Sequence, residues 1–287
     1  SWSQRGGADY GFDWSRSHTT TLRYLFDRIA YDEPPVSDEG IRLAYLGDSV
    51  RQQASIDHRV ALGRRASLSG RYSYTDADTE RVDGTSRPLE EQRTELTLRL
   101  EKRVSSRRTL MLEGGAGGSL MKTDNELTRL PDEFWSAIGH ARARIDIGRS
   151  WSAQAFYERG YELRQGFTVP FFTDQVTTSV GGYIGRRFDP VFTGGYSTGV
   201  LGLNIENPYR SRDGSVQARY AISSSAAVVA SYLRYYYEFD RPALLPPGFA
   251  PTNDRQVVRV GLTFWLPLLG SWREPAAASP PVSGMVS

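Results

Sequence analysis

The chain has 287 residues, 39% hydrophobic, 12% aromatic and 24% charged, with no cysteine and a formal net charge of +2. Bulk charge offers no footprint for nucleic acid, and a chain without cysteine carries no CxxCH haem attachment. No run of about 18 apolar residues is present, which excludes a transmembrane helix but not a membrane-spanning barrel, where only alternate residues meet lipid.

From the N-terminus the residues alternate. Ala8, Tyr10, Phe12 and Trp14 face one way and Asp9, Gly11 and Asp13 the other. After a short turn at 15–18, Thr20, Leu22, Tyr24 and Phe26 oppose Thr19, Thr21, Arg23 and Asp27. Period two of this kind means a strand with one apolar and one polar face. A polar connection covers 32–40, and 41–50 extends toward the next strand. There Ala54, Ile56, Val60 and Leu62 alternate with Ser55, Asp57, Arg59 and Ala61, and His58 interrupts the apolar face. A turn at 63–66 leads to Leu68, Gly70, Tyr72 and Tyr74 against Ser67, Ser69, Arg71 and Ser73. A second long loop is expected over 76–91.

The clearest alternation is RTELTLRLEKRVSSRRTLMLEGGAGGSL over 93–120, two strands about a short turn at 105–108. Ordinary strands run about five or six residues; these run about twelve, the length of a tilted strand crossing a bilayer. The charges on one face then need an aqueous lumen, and the leucines on the other need lipid. GGAGG at 114–118 belongs to this strand and is no phosphate loop. After a loop at 121–133, Trp135, Ala137, Gly139, Ala141, Ala143, Ile145 and Ile147 oppose His140, Arg142, Arg144 and Asp146. Past a turn at 148–151, Ala153, Ala155 and Tyr157 oppose Gln154 and Glu158, and Phe156 and Arg159 break the pattern. Strands are expected over 175–187 and 191–204 about a turn at 188–190. Others follow over 215–222 and 227–239 about a turn at 223–226. A proline-rich loop at 240–254 precedes the last strand, which places Val258, Val260, Leu262, Phe264 and Leu266 outward.

Short turns alternate with long connections at a repeat of about 40 residues, the pattern of a transmembrane barrel with short periplasmic turns and long extracellular loops. The reading is all-β: a transmembrane antiparallel up-and-down β-barrel of about 12–14 strands in the bacterial outer membrane. Thirteen strands are visible in the alternation, and an even number is expected, so either one strand stands before Ser1 or one of the thirteen is misread. The chain starts without Met and without a signal peptide, as a processed form or an excerpt would. The barrel is expected to occupy 1–270, and the Pro/Ala/Ser-rich stretch 271–287 to be a disordered tail.

The lumen-facing positions carry the chemistry. Arg59, Arg71, Arg93, Arg99, Arg103, Arg142, Arg144 and Arg259 share that parity with Glu95, Glu101, Glu113, Asp146 and His140. They read either as a cross-strand ladder that stiffens the wall, or as an arginine track for an anionic solute, because guanidinium forks match carboxylates and phosphates. Arg16, Arg64, Arg65, Arg107, Arg108 and Arg149 stand in the first four short turns without an acid, whereas the first three long loops are acidic. Asp76, Asp78, Glu80 and Asp83 beside Gly84 lack a full EF-hand spacing, so a solvated loop is the simpler reading there. His18, His58 and His140 are the only imidazoles, and no serine nucleophile can be assigned to them, so no catalytic site, metal site or cofactor is expected.

The units VALGRRASLSGRYSYTDAD (60–78), LRLEKRVSSRRTLMLEGG (98–115) and VRVGLTFWLPL (258–268) resemble the outer-membrane β-barrels encoded with bacterial exopolysaccharide-secretion systems. The chain departs from that pattern at its end, where a tail follows Phe264 and Trp265. The resemblance implies a channel passing polysaccharide or anionic oligosaccharide through a charged lumen. The alternative is a structural or partner-sheathing barrel, for example around a periplasmic electron-transfer protein. Implied partners are outer-membrane lipid, the barrel-assembly machinery and polysaccharide or periplasmic export proteins, with no nucleic acid.

Overall fold

The structure is a computed structural model, and it describes residues 2–30, 48–80, 86–123, 133–148, 150–162, 171–201, 208–241 and 250–264. Thirteen strands form one antiparallel sheet in which every strand pairs with its sequence neighbour. They are β1 (Trp2–Ser15), β2 (His18–Ala30), β3 (Ser49–Ala61), β4 (Ala66–Glu80) and β5 (Ser86–Ser105). Next come β6 (Arg108–Thr123), β7 (Glu133–Ile147), β8 (Trp151–Glu162) and β9 (Phe171–Gly182). The last are β10 (Phe188–Leu201), β11 (Pro208–Ala221), β12 (Ala226–Phe239) and β13 (Thr252–Phe264). This is the up-and-down meander that the alternation predicts. Its free edges are β1 and β13, both of which run toward the short-turn end.

The sheet is curled with its polar face inside. Large apolar side chains on one face are exposed, including Leu96, Leu98 and Leu100 on β5 and Val176 and Val180 on β9. On the other face even small hydroxyls are buried, including Ser73, Thr75, Ser119, Ser197 and Ser211. A water-soluble sheet would bury the leucines and expose the serines; the reverse suits a wall with lipid outside.

The registers also fix the tilt. Direct cross-strand partners lead from Thr19 through Arg59, Ser69, Thr97, Gly115 and His140 to Glu158. From there they continue through Gln175, Ser197 and Ser211 to Tyr237. Thr19 is one residue past the start of β2, and Tyr237 is eleven past the start of β12. The row therefore climbs ten residues over ten strand-to-strand steps. With a rise of ~3.3 Å per residue and ~4.8 Å between strands, that is a tilt of about 35°, within the range of membrane barrels.

Several boundaries differ from the expectation. The stretch 76–91 is mostly strand: β4 runs to Glu80 and β5 starts at Ser86. Its acids alternate like the residues below them, with Asp76 and Glu90 paired across the strands on the outer face. Hydrated strand above the apolar band can be polar on both faces, which composition reads as loop. The turn expected at 188–190 lies at 183–187, where Gly185 takes a φ of +69° that other residues rarely adopt. Phe188, Asp189 and Pro190 are strand. Phe156 and Arg159 do not break β8; it stays in register with β9 from Trp151 to Glu162. The tail, Leu266, Arg149 and the acidic positions Asp32, Glu33, Asp38, Glu39 and Asp83 lie outside the described residues.

Two apolar clusters lie toward the long-connection end. Ala77, Leu89 and Met121 pack with Phe134 and Tyr161, and Phe171, Tyr209 and Phe239 pack with Tyr237. Most of these residues fall on inner parity.

Candidate functional site on the inner wall

Below the apolar clusters, the inner wall is continuous in polarity from strand to strand. The row described above extends from Asp13 on β1 to Asn253 on β13 and meets only polar residues and one glycine, Gly115. Chemistry differs along it.

On β5 to β8 the wall is charged. Glu95 is only 5% exposed. His140 Nδ1 lies 2.6 Å from Glu95 Oε1, and Arg93 Nη2 donates to Glu95 Oε2 at 3.3 Å. The second imidazole nitrogen, Nε2, is 3.6 Å from Glu113 Oε1. Arg93 also approaches Glu158 at 4.0 Å. Gly115 makes room for this arrangement: a Cβ there would stand 2.6 Å from His140 Cε1 and 2.7 Å from Thr97 Oγ1. Below the cluster, Arg142 lies over the Phe156 ring at 4.9 Å, and Arg144 donates to Asp146 at 3.1 Å. On β3 and β4, Arg71 pairs with Asp57 at 3.3 Å.

The structure thus gathers Arg93, Glu95, Glu113 and His140 into one network, with Glu158 as a further member. It keeps other predicted positions apart. Arg99 stands opposite Glu113 and Ser67, Glu101 opposite Met111, and Arg103 opposite Thr109 beside the turn. Arg59 lies between Thr19 and Ser69, and Arg259 opposite Ser231 on the edge strand. Among the described residues Arg59, Arg99, Arg103, Arg142 and Arg259 make no ion pair.

On β9 to β11 the middle of the wall is mostly hydroxyl and amide, and its charges near the short-turn end are paired, Arg219 with Asp189 at 3.5 Å. Gln175 donates to Thr177 at 3.4 Å, and Ser211 donates to Ser197 at 3.2 Å, with the Tyr209 hydroxyl 3.3 Å from Ser197. Asp213 is a second inward acid of this region, beside the gap left by Gly195.

Sequence reasoning missed Glu158 as a partner of Arg93, Phe156 as the platform of Arg142, and the apolar clusters. Parity was the available signal: Leu89, Met121 and Phe171 all stand on inner parity near long connections. His58 faces outward, as its parity predicts. Its ring lies 2.9 Å from Thr20 Oγ1, which also accepts from Trp14 Nε1 at 2.8 Å.

No protein-family model matches the chain, and no curated protein does. Among solved structures it is similar to the siderophore receptor PirA from Acinetobacter baumannii. The TM-score is 0.52 at 9% identity, over 88% of this chain and 47% of that one. The open and closed forms of the ferric-catecholate import receptor Fiu from E. coli K12 align over 91% of this chain and 49% and 45% of theirs. Their identities are 10% and 9%, with TM-scores of 0.28 and 0.29. The chain spans about half the length of these receptors. The likeness to PirA is one of fold, and the fold is that of a Gram-negative outer-membrane β-barrel. Together with the exposed apolar face, it gives the chain an outer-membrane location.

Proposed function

We propose that the chain forms the wall of an outer-membrane channel for acidic oligosaccharide or polysaccharide. The observation that carries this reading is the pairing of two surfaces on one inner face. Arginines without ion-pair partners stand near the short-turn end of β3 to β7, and serine, threonine and glutamine predominate on β9 to β11, where Arg219 is paired with Asp189. A guanidinium that is not already paired can take a carboxylate in a bidentate fork without breaking a bond. Hydroxyls and amides both donate and accept, so they exchange hydrogen bonds with sugar hydroxyls as these pass. The paired network around Glu95 holds its own charges and leaves the free arginines to the solute.

Reversal potentials in planar bilayers across a salt gradient test the reading. Anion preference at low salt is expected, fading at 1 M as the Debye length falls to about 3 Å. Block by oligogalacturonate at lower concentration than by neutral maltodextrin is also expected. Cation preference, or equal block by both sugars, would sink the proposal. A second reading, a structural or partner-sheathing barrel, draws support from the apolar clusters on the inner face toward the long-connection end. Electrically silent bilayers containing folded protein would favour it.

A further inference from the structure

We infer that the short-turn end of the barrel is a collar for anionic phospholipid headgroups of the periplasmic leaflet. This is independent of what passes through the lumen. The short turns stand at 16–17, 62–65, 106–107, 148–150, 183–187 and 222–225. Arg16, the pair Arg64 and Arg65, the pair Arg107 and Arg108 at the third turn, and the pair Arg186 and Arg187 are all exposed there. The described residues of these turns include no acid.

Charge alone would suit any anion. What selects lipid is the company these arginines keep. Trp14, Leu62, Val104 and Ile184 stand two or three residues from Arg16, Arg64, Arg107 and Arg186, and all four are exposed. An exposed apolar residue that close to a turn belongs in hydrocarbon, and the guanidinium one turn further on then sits at the phosphate level. A soluble acidic partner would leave the apolar residues in water, whereas a lipid headgroup satisfies both halves. The outward side chains of β2 and β3 extend the same boundary. His18 Nδ1 lies 3.4 Å from His58 Nε2, beside Thr20 and the Trp14 indole, so polar and aromatic groups share one interfacial belt. The turns are short and strand-anchored, which holds the arginines at nearly one height. Arginine suits the task because its fork takes two phosphate oxygens.

The test uses the full chain in detergent, exchanged into nanodiscs of phosphatidylcholine with or without phosphatidylglycerol. Co-purifying lipid is counted by mass spectrometry at low and high salt. The wild type is expected to enrich phosphatidylglycerol, with the enrichment falling at high salt. Replacing Arg64, Arg65, Arg107 and Arg108 together with Gln should lower enrichment at least about tenfold, since each cation near an anionic surface contributes about fivefold. The same four positions as Lys should retain most of it, which separates charge from a folding defect. No headgroup preference in the wild type, or full preference in the Gln variant, would overturn the inference. So would a Gln variant that loses oligogalacturonate binding while its phosphatidylglycerol enrichment is unchanged; the collar would then serve the solute.

Discussion

The inner faces of β5–β7 and of β9–β11 are built from the same strand geometry and filled differently. One carries Arg93, Glu95, Glu113, His140, Arg142 and Arg144; the other carries Thr177, Thr193, Ser197, Ser211 and Ser215. Outside, the two are alike, with Leu96 and Leu98 on one and Val180, Phe192 and Val216 on the other, all exposed. Lipid fixes the outer face of every strand, so the outside cannot vary. The inside is free of that constraint, and there the chain concentrates charge on β5–β7 and hydroxyls on β9–β11, where Asp213 and the paired Asp189 and Arg219 are the inward charges. The β5–β7 wall holds Arg93, Glu95, His140 and Arg144 with ion pairs and Arg142 over the Phe156 ring, and leaves Arg99 and Arg103 without an ion pair among the described residues. Small hydroxyls need no such network and leave more open space.

The largest effect should come from the outside that the two walls share. Leu98→Arg and Val180→Arg should each destabilise the barrel by about 2–4 kcal/mol if both lie near mid-bilayer. Thr97→Arg and Ser179→Arg, one residue away on the inner face, should cost much less. Urea unfolding in lipid vesicles measures all four, and equal costs on the two faces would mean the faces are wrongly assigned. Next comes the difference in how the walls are held. Glu95→Ala strips the partner from Arg93 and His140 and should cost about 2–3 kcal/mol, whereas Ser211→Ala should cost about 1 kcal/mol. Comparable losses would remove the distinction between a networked wall and a loosely bonded one.

The smallest effects concern ions. Arg142→Gln with Arg144→Gln should lower anion preference at low salt and change little at 1 M, where screening is nearly complete. Ser197→Ala with Ser211→Ala should leave ion preference alone and weaken block by neutral sugar. If the serine pair shifts the reversal potential as far as the arginine pair does, the two walls do not divide the work.

Much of this was legible from alternation alone. The strand count and the face of each residue follow from period two, because lipid enforces the pattern on every span. Height along the barrel is not written in parity. Glu95 and His140 are both inward, but only the registers of β5 with β6 and β6 with β7 show that they sit within reach of one another. Strand ends at the long connections were hidden for a related reason. Above the lipid there is no apolar requirement, so Asp76, Asp78, Glu90 and Glu91 can be strand while reading as loop. The same loss of constraint hid Leu89 and Met121, whose burial comes from inner clusters and not from the bilayer.

The two free edges carry a consequence for closure. Strands β1 and β13 point the same way, because thirteen strands are separated by twelve reversals, an even number, which return the chain to its starting sense. Edges of like direction cannot zip together as the other neighbours do; joined directly, they would make a parallel seam in an otherwise antiparallel wall. A second copy turned about an axis along the membrane normal inherits the difficulty twice, since each of its seams again brings together two strands of one sense. An all-antiparallel cylinder therefore takes an odd number of further strands between these edges, whatever their source. The circumference of the finished barrel is quantised by this parity.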